Sequence, residues 1–103
     1  MANVNPPKKN QEFRFRFTVE DYANPGNAKT NPTIAAGDFK VDTDGAGAGN
    51  PATAVVVSPA GTKWLYVVLS AGEMNGDIVT FSASDQTSPK EWSDIDFCFN
   101  TTA

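Results

Sequence analysis

"EFRFRFTVEDYANPG", residues 12–26, alternates phenylalanine with arginine and then stops at a turn signal. Phe13, Phe15, Phe17 and Val19 share one face of this stretch, and Arg14, Arg16, Thr18 and Glu20 share the other. A helix would scatter these residues around its circumference, so Glu12–Glu20 reads as a strand. Its phenylalanines are either the dry face of that strand or, with the arginines, an aromatic–cation stripe for a ligand. Apolar periodicity marks core more often than a binding stripe. We therefore take Phe13, Phe15 and Phe17 as buried. Arg14 and Arg16 then point to solvent or pair with the acidic strand near Asp94 and Asp96.

The rest of the chain repeats the pattern. "ANPGN" and "TNPT" break it on either side of a loop over 23–32, because Pro-Gly favours a tight turn. A second strand is expected around Asp38–Thr43, and a third over "ATAVVVS", residues 52–58. "DGAGAGN" between them is too glycine-rich to hold a strand. "KWLYVVLS", 63–70, is apolar at nearly every position, as in a strand buried on both faces. "DIVTFSAS", 77–84, and "WSDIDFCFN", 92–100, alternate again, with Val79, Phe81, Ala83, Ile95, Phe97 and Phe99 facing inward. In "SAGEMNGD" Ser70 and Glu73 have capping-box spacing. One short helical turn near 71–75 is therefore expected in place of a hairpin, closed by Asn75-Gly76 in the left-handed region. The count is six strands, with a seventh candidate at Thr33–Ala35. Turns recur at the short spacing of an all-β antiparallel sandwich.

Length and composition set the outer bounds. A chain of 103 residues is one domain by the usual prior, and 40% hydrophobic residues with seven Phe and two Trp can fill a core. Residues 1–11 form no periodic element and read as a flexible N-terminal arm before a single domain, 12–103. The single cysteine, Cys98, excludes an internal disulfide and fits assembly in a reducing compartment. No run is long and apolar enough to span a membrane, and the first twenty residues lack the apolar stretch of a signal peptide. Net charge is −4, and Lys8 and Lys9 in the acid-free arm leave the remainder more acidic still. Such a body repels a phosphate backbone, so nucleic acid is not an expected partner.

Catalytic chemistry finds few candidates. The absence of histidine removes the commonest general base and metal ligand, and leaves Cys98 without an activating partner. Cys98 is expected to be a small packed side chain. Asp42-x-Asp44-Gly45 begins like a calcium loop, but no glutamate follows at the required distance, and turn chemistry explains the same residues. Asp94 and Asp96 on one strand face read as charge that limits edge pairing. No enzymatic activity, cofactor or metal is expected.

The order "TIAAGDFKVDTDG … SPAGTKWLYVVLSAGEMNGDIVTFSASD … EW", within residues 33–92, is followed by the acidic closing strand "SDIDF". This ensemble, about two-thirds of the chain, resembles a small β-sandwich module recurrent in tailed-bacteriophage virion proteins. The resemblance implies an Ig-like antiparallel sandwich, a virion location after assembly in the host bacterial cytoplasm, and a partner among other virion proteins.

Three functions follow as expectations. The first is a capsid decoration or cement protein on the major capsid lattice, in multiple copies, because a lone domain carries no separate receptor module or fibre repeat. The second is a tail, baseplate or neck adaptor that anchors a fibre. The third is a carbohydrate- or receptor-binding domain using exposed Trp64, Tyr66 or Trp92. Partner-binding candidates are Lys8 and Lys9 on the arm, Arg14 and Arg16 on the first strand, and Asp94 and Asp96 on the last.

Overall fold

The computed structural model describes residues 7–102. Six strands, β1 (Phe13–Phe17), β2 (Phe39–Thr43), β3 (Val56–Val57), β4 (Leu65–Leu69), β5 (Ile78–Ala83) and β6 (Ile95–Asn100), carry nearly all of the regular structure. They form two antiparallel three-stranded sheets, ordered β1-β4-β3 and β2-β5-β6. No helix among the described residues is long and apolar enough to cross a membrane.

The alternation read from the sequence decides how the sheets meet. Leu65, Val67 and Leu69 of β4 are fully buried, as are Val79 and Phe81 of β5, with Ala83 nearly so. Phe15 of β1 reaches across to Phe81, Phe97 and Phe99 of the opposite sheet in edge-on contacts of 5.2–5.7 Å. Phe39 stacks on both Phe81 and Trp92, which extends the aromatic network to the far end of the core. The phenylalanines of β1 are therefore core residues. Phe17 is buried, while Phe13 and Phe15, nearer the flank, are half-buried.

Several expectations need correction. The chain at Thr33–Ala35 joins no sheet: the Glu91 carboxylate takes the Thr33 N–H (3.2 Å), and Trp92 Nε1 donates to the Thr33 carbonyl (3.2 Å). A short 3-10 turn (Ala36–Asp38) follows instead. The third strand shrinks to Val56–Val57, because upstream Ala52 donates its N–H to the Glu73 carboxylate rather than to a strand. Trp92 is wholly buried, so it leaves the set of exposed aromatics, whereas Cys98 is exposed on the outer face of β6 rather than packed. The second face of β4, Tyr66 and Val68, is only half-buried, and Trp64 just before it is 40% exposed.

The turn near 71–75 forms as one helical turn. Met74 N–H bonds to the Ser70 carbonyl (3.0 Å), and Ser70 and Glu73 exchange reciprocal side-chain to backbone bonds of 2.8 and 3.2 Å. Its closure differs from expectation, since neither Asn75 nor Gly76 has a positive φ. Gly76 is required for a different reason: a Cβ there would lie 2.5 Å from Thr43 Cγ2 and 2.6 Å from Asp44 Oδ2.

Residues 1–6 of the expected arm lie outside the described residues. Residues 7–11 are tied to the body, contrary to the flexible reading. Thr102 N–H donates to the Pro7 carbonyl (2.9 Å), Lys9 N–H to the Thr102 carbonyl (2.8 Å) and Asn10 N–H to the Met74 carbonyl (3.0 Å). Lys9 Nζ meets Asp77 at 3.1 Å. Such backbone-to-backbone bonds leave no trace in side-chain periodicity.

Two buried carboxylates organise the remaining loops. Asp38 accepts from the N–H groups of Ala35 (2.8 Å) and Gln86 (3.1 Å). Asp85 accepts from Thr87 N–H and hydroxyl and from Glu91 N–H, at 2.5–2.9 Å. Burial alone pushes the Asp85 carboxyl up, but these donors together with the Trp92 N–H outweigh it and hold the group below its ordinary value.

Candidate functional site

The outer face of the β1-β4-β3 sheet is built around Tyr66, on the central strand β4. Register sets Arg16 on one side of Tyr66 and Val56 on the other, with Arg14 beside Val68 one pair along. Alternation puts the tyrosine outward, because Leu65 and Val67 are committed to the core. Arg16 lies over the Tyr66 ring, 5.7 Å from its centroid. Arg14 Nη1 donates to the Tyr66 hydroxyl (3.2 Å), and its Nε is held by Glu12 at 2.5 Å. The Glu12 carboxylate and, after it, the Tyr66 hydroxyl raise the Arg14 guanidinium above its ordinary value.

Trp64 extends the face, with Lys63 Nζ 5.6 Å from its ring centroid. Val56 is 46% exposed beside them. The face thus carries an exposed tryptophan, a tyrosine, three cations and an apolar margin. Cation–ring contacts hold the long side chains over the rings and limit the entropy lost when a partner fixes them.

The sequence candidates do not form one site. Arg14 and Arg16 share this face, whereas Asp94 and Asp96 belong to the β6 side of the opposite sheet. Of the two expectations for the arginines, the solvent-facing one holds: Arg14 and Arg16 are exposed and pair with neither Asp94 nor Asp96. Asp94 instead pairs with Lys90 at 2.7 Å, which lowers the carboxyl and raises the amine. Lys9 is engaged with Asp77, and Lys8 contributes a backbone bridge to Thr102. Sequence reasoning missed Lys63 and Val56. Lys63 sits one residue before Trp64 and was legible as a neighbour, whereas Val56 meets Tyr66 only through strand register.

The remaining carboxylates serve turns. Asp42 accepts the Gly47 N–H (3.2 Å), and Asp44 accepts those of Asp77 and Ile78 (3.0 and 2.9 Å). Asp44 takes φ 54, a conformation that aspartate tolerates in turns. No group of three or more potential metal-ligating side chains gathers among the described residues. An open apolar cleft of about 380 Å³ runs between Ile34–Ala35 and Asn50–Val55 above Phe39, and no charged side chain lines it.

No protein-family model, curated protein or solved structure matches this chain.

Proposed function

We propose that this protein is a non-enzymatic virion structural protein of a tailed bacteriophage, a capsid decoration or cement protein of Ig-like fold that docks through its Tyr66 face. The observation that carries the docking is the exposed Trp64 beside the half-buried Tyr66, set among Arg14, Arg16 and Lys63. Tyrosine, tryptophan and arginine are the side chains that dominate protein–protein hot spots. On an otherwise acidic chain, this cationic face suits an acidic partner surface.

The Ig-like reading is supported by the strand order. In immunoglobulin topology strands B-E-D face strands C-F-G, and β1-β4-β3 facing β2-β5-β6 follows the same sequence of connections. The virion reading rests on the resemblance of the segment from Ile34 to Asn100 to phage modules. Many weak copies on a lattice would reinforce one another through avidity.

A second reading, binding of a glycan, is favoured by the exposure of Trp64 beside Tyr66, since flat aromatic faces also suit sugar rings. Co-sedimentation of the purified protein with separated phage heads and tails tests the assignment. Pelleting with heads that lack the protein is the expected result. Pelleting with tails alone moves it to the adaptor role, and remaining soluble with both overturns the virion reading.

A further inference from the structure

The two edge strands β1 and β6 lie on the same flank of the molecule, each paired on one side only. Phe13 meets Phe99 and Phe17 meets Phe97, so β1 and β6 run antiparallel, one above the other, across the gap between the sheets. The flank is closed at one end by the Lys8–Thr102 bridge and at the other by Asp21–Trp92. Between these closures the edges are open, and Phe13, Phe15, Phe97 and Phe99 beneath them are only half-buried. An open edge over apolar side chains is a template for another strand.

Charge on these edges is segregated. β1 presents Arg14, already paired with Glu12, and Arg16, while β6 presents Asp96 and the residue before it is Asp94, already paired with Lys90. Arg16 and Asp96 are the charges on these edges that no ion pair among the described residues satisfies. Simple protection against edge pairing needs no such division, since either sign on either edge would serve. Separated signs make each edge reject its own kind and accept the other.

We propose that this flank is the interface of a symmetric dimer of this chain, in which β1 of each copy pairs with β6 of the other. The proposal goes beyond docking through the Tyr66 face and stands without it. A twofold axis parallel to the strands brings the second copy's β1 beside β6 at the same height and antiparallel, and both sheets become continuous. In the register that carries Phe13 opposite Phe99, Arg16 stands across from Asp96 and Arg14 across from Cys98 of the second copy. Among the described residues, Arg16 and Asp96 form no ion pair within the chain. The register joins these two charges. A twofold axis perpendicular to the sheets would instead align β1 with β1 and β6 with β6. That sets arginines against arginines and aspartates against aspartates, which is unfavourable directly across a strand pair.

The test uses the full chain in sedimentation velocity from low micromolar to near-millimolar concentration. Wild type is expected to dimerise, whereas Arg16→Glu and Asp96→Lys alone each remain monomeric. An equimolar mixture of the two variants is expected to regain the dimer, because both of its cross-strand pairs are again opposite in sign. Arg14→Cys, mildly oxidised, is expected to link covalently through Cys98 of the second copy, while oxidised wild type does not link. Intramolecular linkage cannot mimic this result, since positions 14 and 98 lie on opposite outer faces. Wild type that stays monomeric throughout, single variants that dimerise as wild type does, or wild type that links through Cys98 to Cys98 would each overturn the proposal. Circular dichroism of each variant checks that these exposed substitutions leave the fold intact.

Discussion

Phe15 of β1 stands edge-on to Phe99 of β6, their ring centroids 5.2 Å apart and their planes at 62°. This contact crosses from one sheet to the other, so the alternating phenylalanines of β1 and β6 together seal one flank of the core. Edge-on pairs add to the burial of the rings themselves.

Burial depth should rank the phenylalanine truncations. Phe81 is fully buried and touches rings from both sheets, so Phe81→Ala should cost about 3–5 kcal/mol. Phe15→Ala, at a half-buried site, should cost less, about 2–3 kcal/mol. Urea denaturation of the two variants measures this, and equal or inverted losses would contradict the packing.

Acid should weaken the fold through Asp85. Its carboxyl lies below the ordinary 3.8 in the folded state, so it binds a proton more readily when the chain is unfolded. Its contribution is then fully present above that ordinary value and is lost as pH falls through the lower folded value. The stability difference between wild type and Asp85→Ala should be large at neutral pH and shrink at acid pH below about 4. Denaturation midpoints measured across that range check it, and a difference that grows toward acid would refute it.

Removing residues 2–11 should destabilise the isolated protein. The backbone bonds from Lys9 and Asn10 and to Pro7 join the segment to two separate parts of the body. At about 1 kcal/mol net each, their loss should amount to about 2–3 kcal/mol. An unchanged midpoint would show that the segment is a free arm after all.

Gly76→Ala should fail for lack of space. Thr43 and Asp44 would have to move from a new methyl group less than 3 Å away. Overpacking of this kind costs about 1–3 kcal/mol. A thermal melt that matches wild type would contradict the close approach.

Much of the fold was legible because period-two alternation in β1, β5 and β6 records which side is dry. Capping-box spacing at Ser70 and Glu73 likewise marked its turn. What the sequence could not show depends on pairing between distant residues. The β-branched run before Val56 looks like a full strand, yet upstream Ala52 bonds to Glu73. Thr33–Ala35 looks like a strand until Glu91 and Trp92 take the backbone groups of Thr33. The candidate site divided in the same way. Arg14 and Arg16 were visible from alternation, but their neighbour across the ladder, Tyr66, was fixed only by register. Asp94 and Asp96 suggest themselves as partners for the arginines because opposite charges in a sequence carry no information about which sheet each strand joins.

The central claim, that the protein docks through its Tyr66 face, is tested most directly by co-sedimentation of the double variant Lys63→Glu, Trp64→Ala with phage heads lacking the protein. Both side chains are on the outer face and away from the core, so stability should change by less than about 1 kcal/mol. Wild type is expected to pellet with the heads while the equally folded variant stays in the supernatant. A variant that pellets as fully as wild type would contradict the claim.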